Sequence, residues 1–556
     1  MQEKIFKGIS VSDGIRIANA YIYKKQPHVN VDNNIDEGDI ETAIQSLKNA
    51  AAQAELEIDA LIEHSSQTLA NDKIGVFKGH KGILKDPAYY PEIEKLVKNK
   101  LFSPQKAVKN VTEKFAQIFE GMKNDYMKER AADVRDVGSR LLNILSGHKD
   151  TSLETIKSPV ILIADDLSPS DTMQLDKAFV LGFITQRGGK SSHTAIFAKS
   201  MGIPALVIPN ILDEVNENEL IILDGAAGLC IASPKFETQA EYQAKIGAEL
   251  KEQQILKEYI NKPAITKDNI KIVVAANIGG LKDAEYSLQQ GAEAVGLFRT
   301  EMIYLTKSSL PSEDEQFDEY KKIAQLYGDK EVIVRTLDIG GDKELKYLDI
   351  PKEDNPFLGY RAIRLCLNQK EIFLTQLRAI LRASAFGKLK IMFPMISGYD
   401  ELISAKAVLD EAKAQLKSKG VAYDANIKAG IMIEVPSAAF IADTLAKEVD
   451  FFSIGTNDLV QYLLAVDRGN EKVSYLYDYF NPAVLKLIKF IAEAAHANNI
   501  PVGMCGGMAG DPLAIPFLVG LRLDELSMSA GMIGKAKYII SKIALAECEM
   551  LADDVI

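Results

Sequence analysis

The sequence predicts a multidomain α/β protein in which an α/β domain with an inserted helical bundle precedes a (β/α)8 barrel. Its 556 residues exceed what one hydrophobic core usually organises. Strand-like sequence gives way to acidic, alanine-rich helical periodicity, which ends near Gly147, and eight apolar segments follow Lys262. We therefore expect four parts, which are the α/β domain at 1–30 and 147–230, the helical domain at 31–146, a linker helix at 231–262 and the barrel at 263–556.

Composition argues against several classes of protein. With 47% hydrophobic and 26% charged residues the chain should bury an ample core, and no stretch approaches the roughly 20 apolar residues of a membrane helix. The N-terminus lacks a basic segment followed by an apolar run, and the four cysteines have no metal-binding spacing. We expect a soluble, cytoplasmic protein without disulfides or structural zinc. The net charge of −12 argues against nucleic acid and favours small anions in local basic pockets, or a basic protein partner.

The N-terminal segment and the helical insertion follow from their periodicity. GISVSDGIRIANAYIY, residues 8–23, is typical of a short strand pair. Four later runs place apolar residues three and four positions apart, as antiparallel helices around a shared core would, and helix pairs of this kind bind partners well. These runs are IETAIQSLKNAAAQAELEIDALIEHS, PEIEKLVKNKL, PQKAVKNVTEKFAQIFEGM and AADVRDVGSRLLNIL.

The sequence from Pro159 to about residue 260 predicts an α/β domain and then a stiff helix. The strand-like runs VILIA, AFVLGFIT, ALVIP and ELIILDG alternate with short helical stretches. PKFETQAEYQAKIGAELKEQQILKEYI is charged and helical, which favours a rigid connector over a flexible tether.

The last three hundred residues predict a closed parallel barrel. The eight strand candidates are IVVAANI, AVGLF, VIVRT, IMFPM, GIMIEV, FFSIG, VGMC and ELSMS. Polar and reactive residues fall at the C-terminal ends of these strands, where barrels place active sites. They are Arg299, Arg335, Asp338, Glu434, Asn457, Asp458 and Cys505.

One histidine, His193, lies in the segment GGKSSHT, residues 188–194, between strand-like and helix-like runs. An imidazole nitrogen that attacks phosphorus needs an uncrowded approach, which the glycine pair allows. Ser192, Thr194 and backbone N–H groups can hold phosphoryl oxygens. A histidine beside two glycines is more often an ordinary turn residue, so the case for a phosphate acceptor depends on the residues downstream.

The residues at the predicted barrel rim indicate the ligand. Arg299, Arg335 and Arg361 present guanidinium groups that suit carboxylate and phosphate oxygens, so we expect a small phosphorylated acid. Glu434 and Asp458 are hard oxygen donors on neighbouring strand ends, and they predict a divalent cation, magnesium or alternatively manganese. Taken singly, each arginine is more often a surface ion pair, and each carboxylate is more often a helix cap or salt bridge.

Cys505, in VGMCGGMAGD, has two interpretations. A lone thiol is more often a small buried apolar side chain. The glycines around it are expected to leave it exposed, which favours a reactive role.

With these residues in place, the chain resembles Enzyme I of the phosphoenolpyruvate-dependent sugar phosphotransferase system from end to end. The resemblance rests on a series of motifs in the family's order. They are GISVSDGI, RAADVRDVGSRLL, LSPSDTMQL, GGKSSHTAIFAKSMGIPALV, GLFRTEMIY, VIVRTLDIGGDK, NPFLGYRAIR, IMFPMIS, GIMIEVPSA, SIGTNDLVQY, AVDRGN and GMCGGMAGDP.

The resemblance implies a role for each matching residue. His193 is expected to be the phosphorylated histidine, and Cys505 the acid that protonates the enolate. The implied phosphoenolpyruvate ligands are Arg299 and Arg335 on the phosphate, with Asn457 and Arg468 as further contacts. Glu434 and Asp458 are the implied metal ligands, and Arg361, Asp338 and Lys343 belong to the same signatures.

The resemblance also implies that the inserted helices dock the phosphocarrier protein HPr, that the barrel forms a homodimer, and that the phosphohistidine domain swings between two sites. The segment near His80 departs from the family by carrying Lys81, Gly82 and Lys85, so carrier affinity or choice is expected to differ.

Four other functions compete with this one. Pyruvate phosphate dikinase and phosphoenolpyruvate synthase share the histidine segment and the barrel. Both need a nucleotide-binding domain of roughly two to three hundred residues ahead of the histidine segment, where this sequence has only the helical insertion. The nitrogen-regulatory paralogue carries an additional N-terminal sensor domain. A regulatory phosphorylation sensor or scaffold remains the alternative from a different class.

Overall fold

The computed structural model describes residues 3–24, 32–68, 71–121, 125–147, 153, 156–168, 171, 172, 175–188, 193–341, 343, 345, 347, 348, 350–470 and 472–556. The chain divides into two compact units, Met1–Leu250 and Lys251–Ile556, and the boundary falls within the long helix Phe236–Tyr259. Among the described residues, no helix combines the length and apolarity that crossing a membrane requires.

The first unit contains an eight-stranded mixed sheet with the order β1-β8-β7-β3-β4-β5-β6-β2. Its central strands are almost wholly apolar, because both faces of the sheet are covered by hydrophobic clusters. The strands are β1 Lys4–Lys7, β2 Ile9–Ser12, β3 Ile15–Tyr23, β4 Val160–Ala164, β5 Val180–Thr185, β6 Ala205–Val207, β7 Leu220–Asp224 and β8 Leu229–Ala232.

The prediction that the two N-terminal strands pair with each other is wrong. β2 and β3 both form, but β2 pairs with β6 while β3 lies between β4 and β7. Asp13 and Gly14 join them, and Gly14 has a φ of 119°, which a glycine adopts without strain. A connection of two residues therefore separates the strands instead of forming a hairpin.

Five helices form the insertion and surround one apolar core. Ser103 caps the fourth helix through its hydroxyl, which accepts from the Lys106 N–H at 3.1 Å, and Pro104 follows at the first helical position. The second helix was not predicted, because its three glycines weaken the helical signal in the sequence. The helices are α1 Ile40–Thr68, α2 Asn71–Leu84, α3 Tyr89–Lys100, α4 Pro104–Glu120 and α5 Asp125–Ser146.

Helices α6 His193–Met201, α7 Ile211–Glu214 and α8 Phe236–Tyr259 lie between the bundle and the barrel strands along the chain. The last of these spans most of the predicted connector.

The second unit contains the predicted barrel, with eight parallel strands closed in the order in which they occur. The fold class is thereby confirmed. The strands are β9 Val273–Ile278, β10 Val295–Arg299, β11 Val332–Arg335, β12 Leu389–Phe393, β13 Lys428–Ile433, β14 Phe452–Ile454, β15 Val502–Met504 and β16 Glu525–Met528.

Helices surround the strands and cover the outer apolar face of the barrel. They are α9 Leu281–Gln289, α10 Glu301–Leu305, α11 Glu313–Tyr327, α12 Ile363–Asn368, α13 Lys370–Ala383, α14 Tyr399–Ser418, α15 Pro436–Phe440, α16 Ala442–Leu445, α17 Thr456–Leu463, α18 Pro482–Ala497, α19 Ile515–Gly520, α20 Ile533–Ile540 and α21 Leu545–Val555.

Successive side chains of each barrel strand point alternately outward and inward. On β16, Leu526 and Met528 belong to the core between strands and helices, so Glu525 and Ser527 face the barrel interior. A smaller apolar cluster fills that interior and forms the base of the site described next. Its members are Leu297, Ile333, Met392, Met432, Phe451 and Cys505.

Candidate active site

A cavity of about 640 Å³ opens at the carboxyl ends of the barrel strands. The strands position its side chains directly, because Arg299 and Arg335 are the last residues of β10 and β11, and Cys505 follows β15. The lining includes Arg299, Arg335, Asp338, Lys343, Arg361, Glu434, Asn457, Asp458, Arg468 and Cys505, together with Asn277, Glu301, Met302, Tyr479 and Asp511.

Two buried arginines are fixed by carboxylates before any ligand binds. Arg335 donates through Nη2 to Glu301 Oε1 at 2.7 Å, and its Nη1 lies 3.0 Å from Asp338 Oδ2. Arg361 Nη2 donates to Asp338 Oδ1 at 2.9 Å, and Lys343 Nζ donates to Glu301 Oε1 at 3.0 Å. These contacts turn both guanidinium groups and the ammonium into a rigid cationic wall.

The cations also keep the two supporting acids ionised. Burial alone would raise the pKa of Asp338, but Arg335, Arg361 and Lys343 hold that pKa well below its usual range. Burial is likewise outweighed at Glu301, where Arg335 and Lys343 lower the pKa. Glu301 Oε2, Arg335 Nε and Arg361 Nε remain buried without hydrogen-bond partners.

Glu434 and Asp458 form a second pair of acids, which lacks comparable support. Glu434 follows β13, and its Oε1 accepts from the Met395 N–H at 2.7 Å. Burial and then the charges of Asp458 and Asp338 raise the pKa of Glu434 to about 8. Asp458 Oδ1 is buried without a hydrogen-bond partner. An unsatisfied oxygen beside a second carboxylate is a site that a cation would stabilise.

These two acids fit a divalent cation that completes its shell elsewhere. Within the described ranges, no group of three or more histidine, cysteine, aspartate or glutamate side chains is arranged to hold a metal. Magnesium is typically held by one or two carboxylates together with substrate oxygens and water. The donor set of Glu434 and Asp458 therefore fits magnesium, and oxygens of a bound anion would complete the coordination shell of the metal.

The remaining basic side chains at the mouth are more accessible. Arg299 is exposed and makes no ion pair with any described residue. Arg468 Nη2 lies 3.8 Å from Asp458 Oδ1. Asn457, whose Oδ1 accepts from the Gly507 N–H at 2.9 Å, keeps its amide nitrogen for another partner. The mouth thus offers donors that are not committed within the site.

Cys505 is buried, with 4% of its surface exposed, so the prediction that glycines leave it accessible is wrong. A Cβ on Gly506 would lie 1.8 Å from Thr456 Oγ1, so this glycine allows close backbone packing instead. The thiol still lines the cavity and joins the apolar cluster inside the barrel. Burial raises its pKa to about 12, so Cys505 is a protonated thiol near neutral pH.

Glu301 was not predicted as a site residue, although it lies in the motif GLFRTEMIY. Glu301 follows Arg299 by two residues and begins helix α10, which turns its carboxylate onto Arg335 of the neighbouring strand. The spacing of an acid next to a predicted ligand arginine is a signal that could have identified it.

His193 lies in the other unit, where it is the first residue of helix α6. Its side chain and residues 189–192 lie outside the described part of the structure. The structure therefore brings together all of the predicted site residues except this histidine.

Three family models match the chain. The model described as "PEP-utilising enzyme, PEP-binding domain" matches residues 253–545, the one described as "PEP-utilising enzyme, N-terminal" matches 7–130, and the one described as "PEP-utilising enzyme, mobile domain" matches 156–228. The barrel thus coincides with the model for phosphoenolpyruvate binding.

Similar proteins extend over the whole chain. The phosphoenolpyruvate-protein phosphotransferase of Bacillus subtilis is 48% identical over 558 residues, covering 100% of this chain and 97% of the relative. Those of Staphylococcus carnosus and Geobacillus stearothermophilus are 46% and 45% identical, covering 99% and 100% of this chain and 96% of each relative.

Proposed function

Because the chain belongs to the phosphoenolpyruvate-protein phosphotransferase family, we propose that its barrel cavity binds phosphoenolpyruvate and that His193 carries the phosphoryl group to HPr. The chain is an enzyme of phosphoenolpyruvate-dependent phosphoryl transfer, the first step of the sugar phosphotransferase system. The observation that carries the site assignment is the convergence of Arg299, Arg335 and Arg361 on one cavity beside Glu434 and Asp458.

The charges of the cavity support a strongly anionic substrate. Five basic and five acidic side chains line it. If a divalent cation balances Glu434 and Asp458, the five basic groups face three acids and leave an excess of positive charge for the ligand. Phosphoenolpyruvate carries a phosphate and a carboxylate, both of which suit guanidinium groups. Arg299 and Arg335 would hold the phosphate, with Asn457, Arg468 and Arg361 as further contacts.

Glu434 and Asp458 would hold magnesium, with manganese as the alternative. When bound, the cation offsets negative charge on the phosphoryl oxygens. Two observations support this assignment: Asp458 Oδ1 is buried without a hydrogen bond, and burial together with Asp458 and Asp338 raises the pKa of Glu434, which a cation would reverse.

Cys505 would donate a proton to the methylene carbon once the phosphoryl group has left. Its raised pKa keeps the thiol protonated until an enolate forms beside it. Protonation converts the enolate to ketonic pyruvate, which makes the transfer strongly favourable. The cationic wall of Arg335, Arg361 and Lys343 would meanwhile hold the phosphoryl group in line with the attacking nitrogen.

His193 would accept the phosphoryl group and then deliver it to HPr. The histidine and the cavity belong to different compact units, so the first transfer requires a contact between residues of both units. We propose that the phosphohistidine domain, at 1–30 and 147–230, swings between the cavity of the barrel at 263–556 and a carrier bound to the helical domain at 31–146, with 231–262 as linker.

HPr would dock on the inserted helices, where Lys81 lies in the last turn of α2 and Lys85 directly follows this helix. Lys81 lies 3.1 Å from Glu55 Oε1 and 2.8 Å from Asp59 Oδ1, and Lys85 lies 2.6 Å from Glu55 Oε1. These lysines are thus neutralised by α1, so they need not repel a basic carrier.

A homodimer through the barrel and a cytoplasmic location complete the proposal. Exposed apolar side chains on the barrel unit support an interface, among them Phe440, Tyr475 and Leu513.

Incubation with labelled phosphoenolpyruvate, magnesium and HPr tests the function. The enzyme should label many equivalents of HPr, whereas a phosphorylation sensor would label itself at most once. His193→Ala should bind phosphoenolpyruvate but accept no label, and His496→Gln, which alters an exposed histidine, should behave as wild type. Acid-stable label, label retained by His193→Ala, or an absolute requirement for ATP would refute the proposal.

A further inference from the structure

Beneath the cavity, polar side chains continue down the interior of the barrel. Glu525 and Ser527 face inward from β16, and Glu525 is paired in register with Gly503 of β15. Cys505 lies two residues beyond Gly503 and faces the same interior. The acid at the amino-terminal end of β16 and the thiol at the carboxyl end of β15 therefore share one side of the barrel interior.

Hydroxyl and amide groups flank the thiol on both sides. Ser527 Oγ donates to Asn277 Oδ1 at 2.7 Å, and Asn277 Nδ2 donates to the Cys505 carbonyl at 3.0 Å. On the opposite side, Ser453 Oγ is buried without a hydrogen-bond partner that meets the usual geometry. Ser453 lowers the pKa of the Cys505 thiol, whereas burial raises it. The interior next to Cys505 is thus polar, although the surrounding cluster is apolar.

Two glycines leave room for the Glu525 carboxyl group. A Cβ on Gly296 would lie 2.3 Å from Glu525 Oε1 and 2.6 Å from Ser527 Oγ, and one on Gly503 would lie 3.5 Å from Oε1. No described residue donates a hydrogen bond to this carboxyl, and Glu525 is partly exposed as a residue while the next three residues of β16 are buried. Glu525 thus lies at the end of β16 that is nearer to solvent, opposite to the cavity.

The charged groups that face Glu525 leave its proton affinity high. Burial raises its pKa to about 7, and Glu331 and Asp524 act in the same direction, while Lys390 opposes them. Lys390 Nζ donates to Glu331 Oε2 at 2.6 Å, so its charge is largely committed to that acid. At neutral pH both the acid and the carboxylate form of Glu525 are therefore populated.

We propose that Glu525 returns the proton that Cys505 donates in each turnover, taking it from solvent at the amino-terminal end of the barrel. This inference rests on the proposed function of Cys505. Glu525 acts through the Cys505 thiol and does not contact the substrate. Its proposed role is therefore to restore the proton on the thiol, not to take part in the reaction with substrate.

The proton balance closes in three transfers. Cys505 Sγ–H breaks as the methyl C–H bond of pyruvate forms, and a thiolate remains. The Glu525 carboxylic acid gives its proton to the thiolate, directly or through one bridging water, and becomes a carboxylate. The carboxylate takes a proton from solvent. The second transfer is favourable because the thiol has the higher pKa of the two groups.

Deuterium exchange into the methyl group of pyruvate tests the route. With enzyme, magnesium and pyruvate in D2O, wild type should exchange with a bend in its pH profile near 7. Glu525→Gln should exchange at least tenfold more slowly without that bend, while phosphohistidine formation from phosphoenolpyruvate in a single turnover stays within twofold. Asp450→Asn is the matched control, because this acid lies just before β14 at the same end and pairs with Lys428.

Each other outcome overturns the inference. Glu525→Gln with the wild-type rate and pH profile would exclude the route, and so would parallel loss of exchange, phosphorylation and melting temperature. Exchange retained by Cys505→Ala would show that another group moves the proton. If wild type takes no phosphoryl group from phosphoenolpyruvate, the proposed function itself fails, and that result is read from the phosphorylation assay alone.

Discussion

Arg335 and Glu301 form an ion pair of 2.7 Å in the wall of the cavity, with only 7% and 2% of their side chains exposed. A buried pair of this kind contributes little net stability, but removing one partner leaves an uncompensated charge. Its value in this site is that the guanidinium group is already oriented toward the ligand.

Glu301→Gln should therefore weaken phosphoenolpyruvate binding and destabilise the barrel. Arg335 and Lys343 would lose a shared anion, so we expect the KM for phosphoenolpyruvate to rise about tenfold and the free energy of unfolding to fall by about 3 kcal/mol. Steady-state kinetics and chemical denaturation measure both. Glu411→Gln, which breaks a surface pair with Lys370, should change neither. An unchanged KM would mean that Asp338 alone positions Arg335.

Glu434→Gln should separate stability from activity. Above pH 8, where Glu434 is ionised, the substitution removes a charge disfavoured by burial and by Asp458 and Asp338, so the metal-free melting temperature should rise there. Activity should fall on the order of a hundredfold, with a weaker dependence on magnesium. Calorimetry without metal and a magnesium titration of turnover provide the readouts. A lower melting temperature together with normal magnesium dependence would contradict the assignment of this residue as a metal ligand.

Glu525→Gln should stabilise the barrel at pH 8 but not at pH 4. The folded-state pKa of about 7 lies above the ordinary 4.5, so the folded barrel binds this proton more tightly than the unfolded chain. The contribution of Glu525 to the free energy of unfolding therefore falls as pH rises from about 4.5 through 7. The amide has no such proton, so the gain at pH 8 should be about 3 kcal/mol. Denaturation at both pH values measures it, and an equal gain at both would argue against the raised pKa.

Gly506→Ala and Gly507→Ala should differ sharply although the residues are adjacent. A Cβ at Gly506 would overlap Thr456 Oγ1 at 1.8 Å and approach the Thr456 nitrogen at 2.7 Å, whereas at Gly507 the nearest atom lies at 3.4 Å. Gly506→Ala should cost about 1–3 kcal/mol and displace the Cys505 thiol, with loss of pyruvate methyl exchange. Gly507→Ala should be nearly neutral. Similar melting temperatures for the two variants would show that the strand ends shift easily.

Strand positions and rim residues of the barrel could be predicted because they depend on local pattern. Arg299, Arg335 and Glu434 end apolar strands, and the closure of eight parallel strands brings such ends together wherever they occur in sequence. Helix α2 was missed since glycine lowers local helical propensity, which packing in the bundle overrides.

The rest depends on contacts between distant residues, which periodicity does not encode. The burial of Cys505 follows from how tightly Gly506 packs on Thr456, fifty residues earlier. The separation of β2 from β3 follows from the pairing of β2 with β6. The contact of Glu301 with Arg335 forms because β11, which ends at Arg335, lies beside β10.

Asp338 is shared by Arg335, Arg361 and Lys343, which links three cations to one carboxylate. The conformational entropy of these long side chains is therefore lost when the chain folds, and little of it remains to be lost when a ligand arrives. The same restraint makes the site selective by shape. These side chains cannot move to bind a molecule whose acidic groups are spaced differently. Each such movement would break an ion pair with Asp338 and leave its buried charge uncompensated.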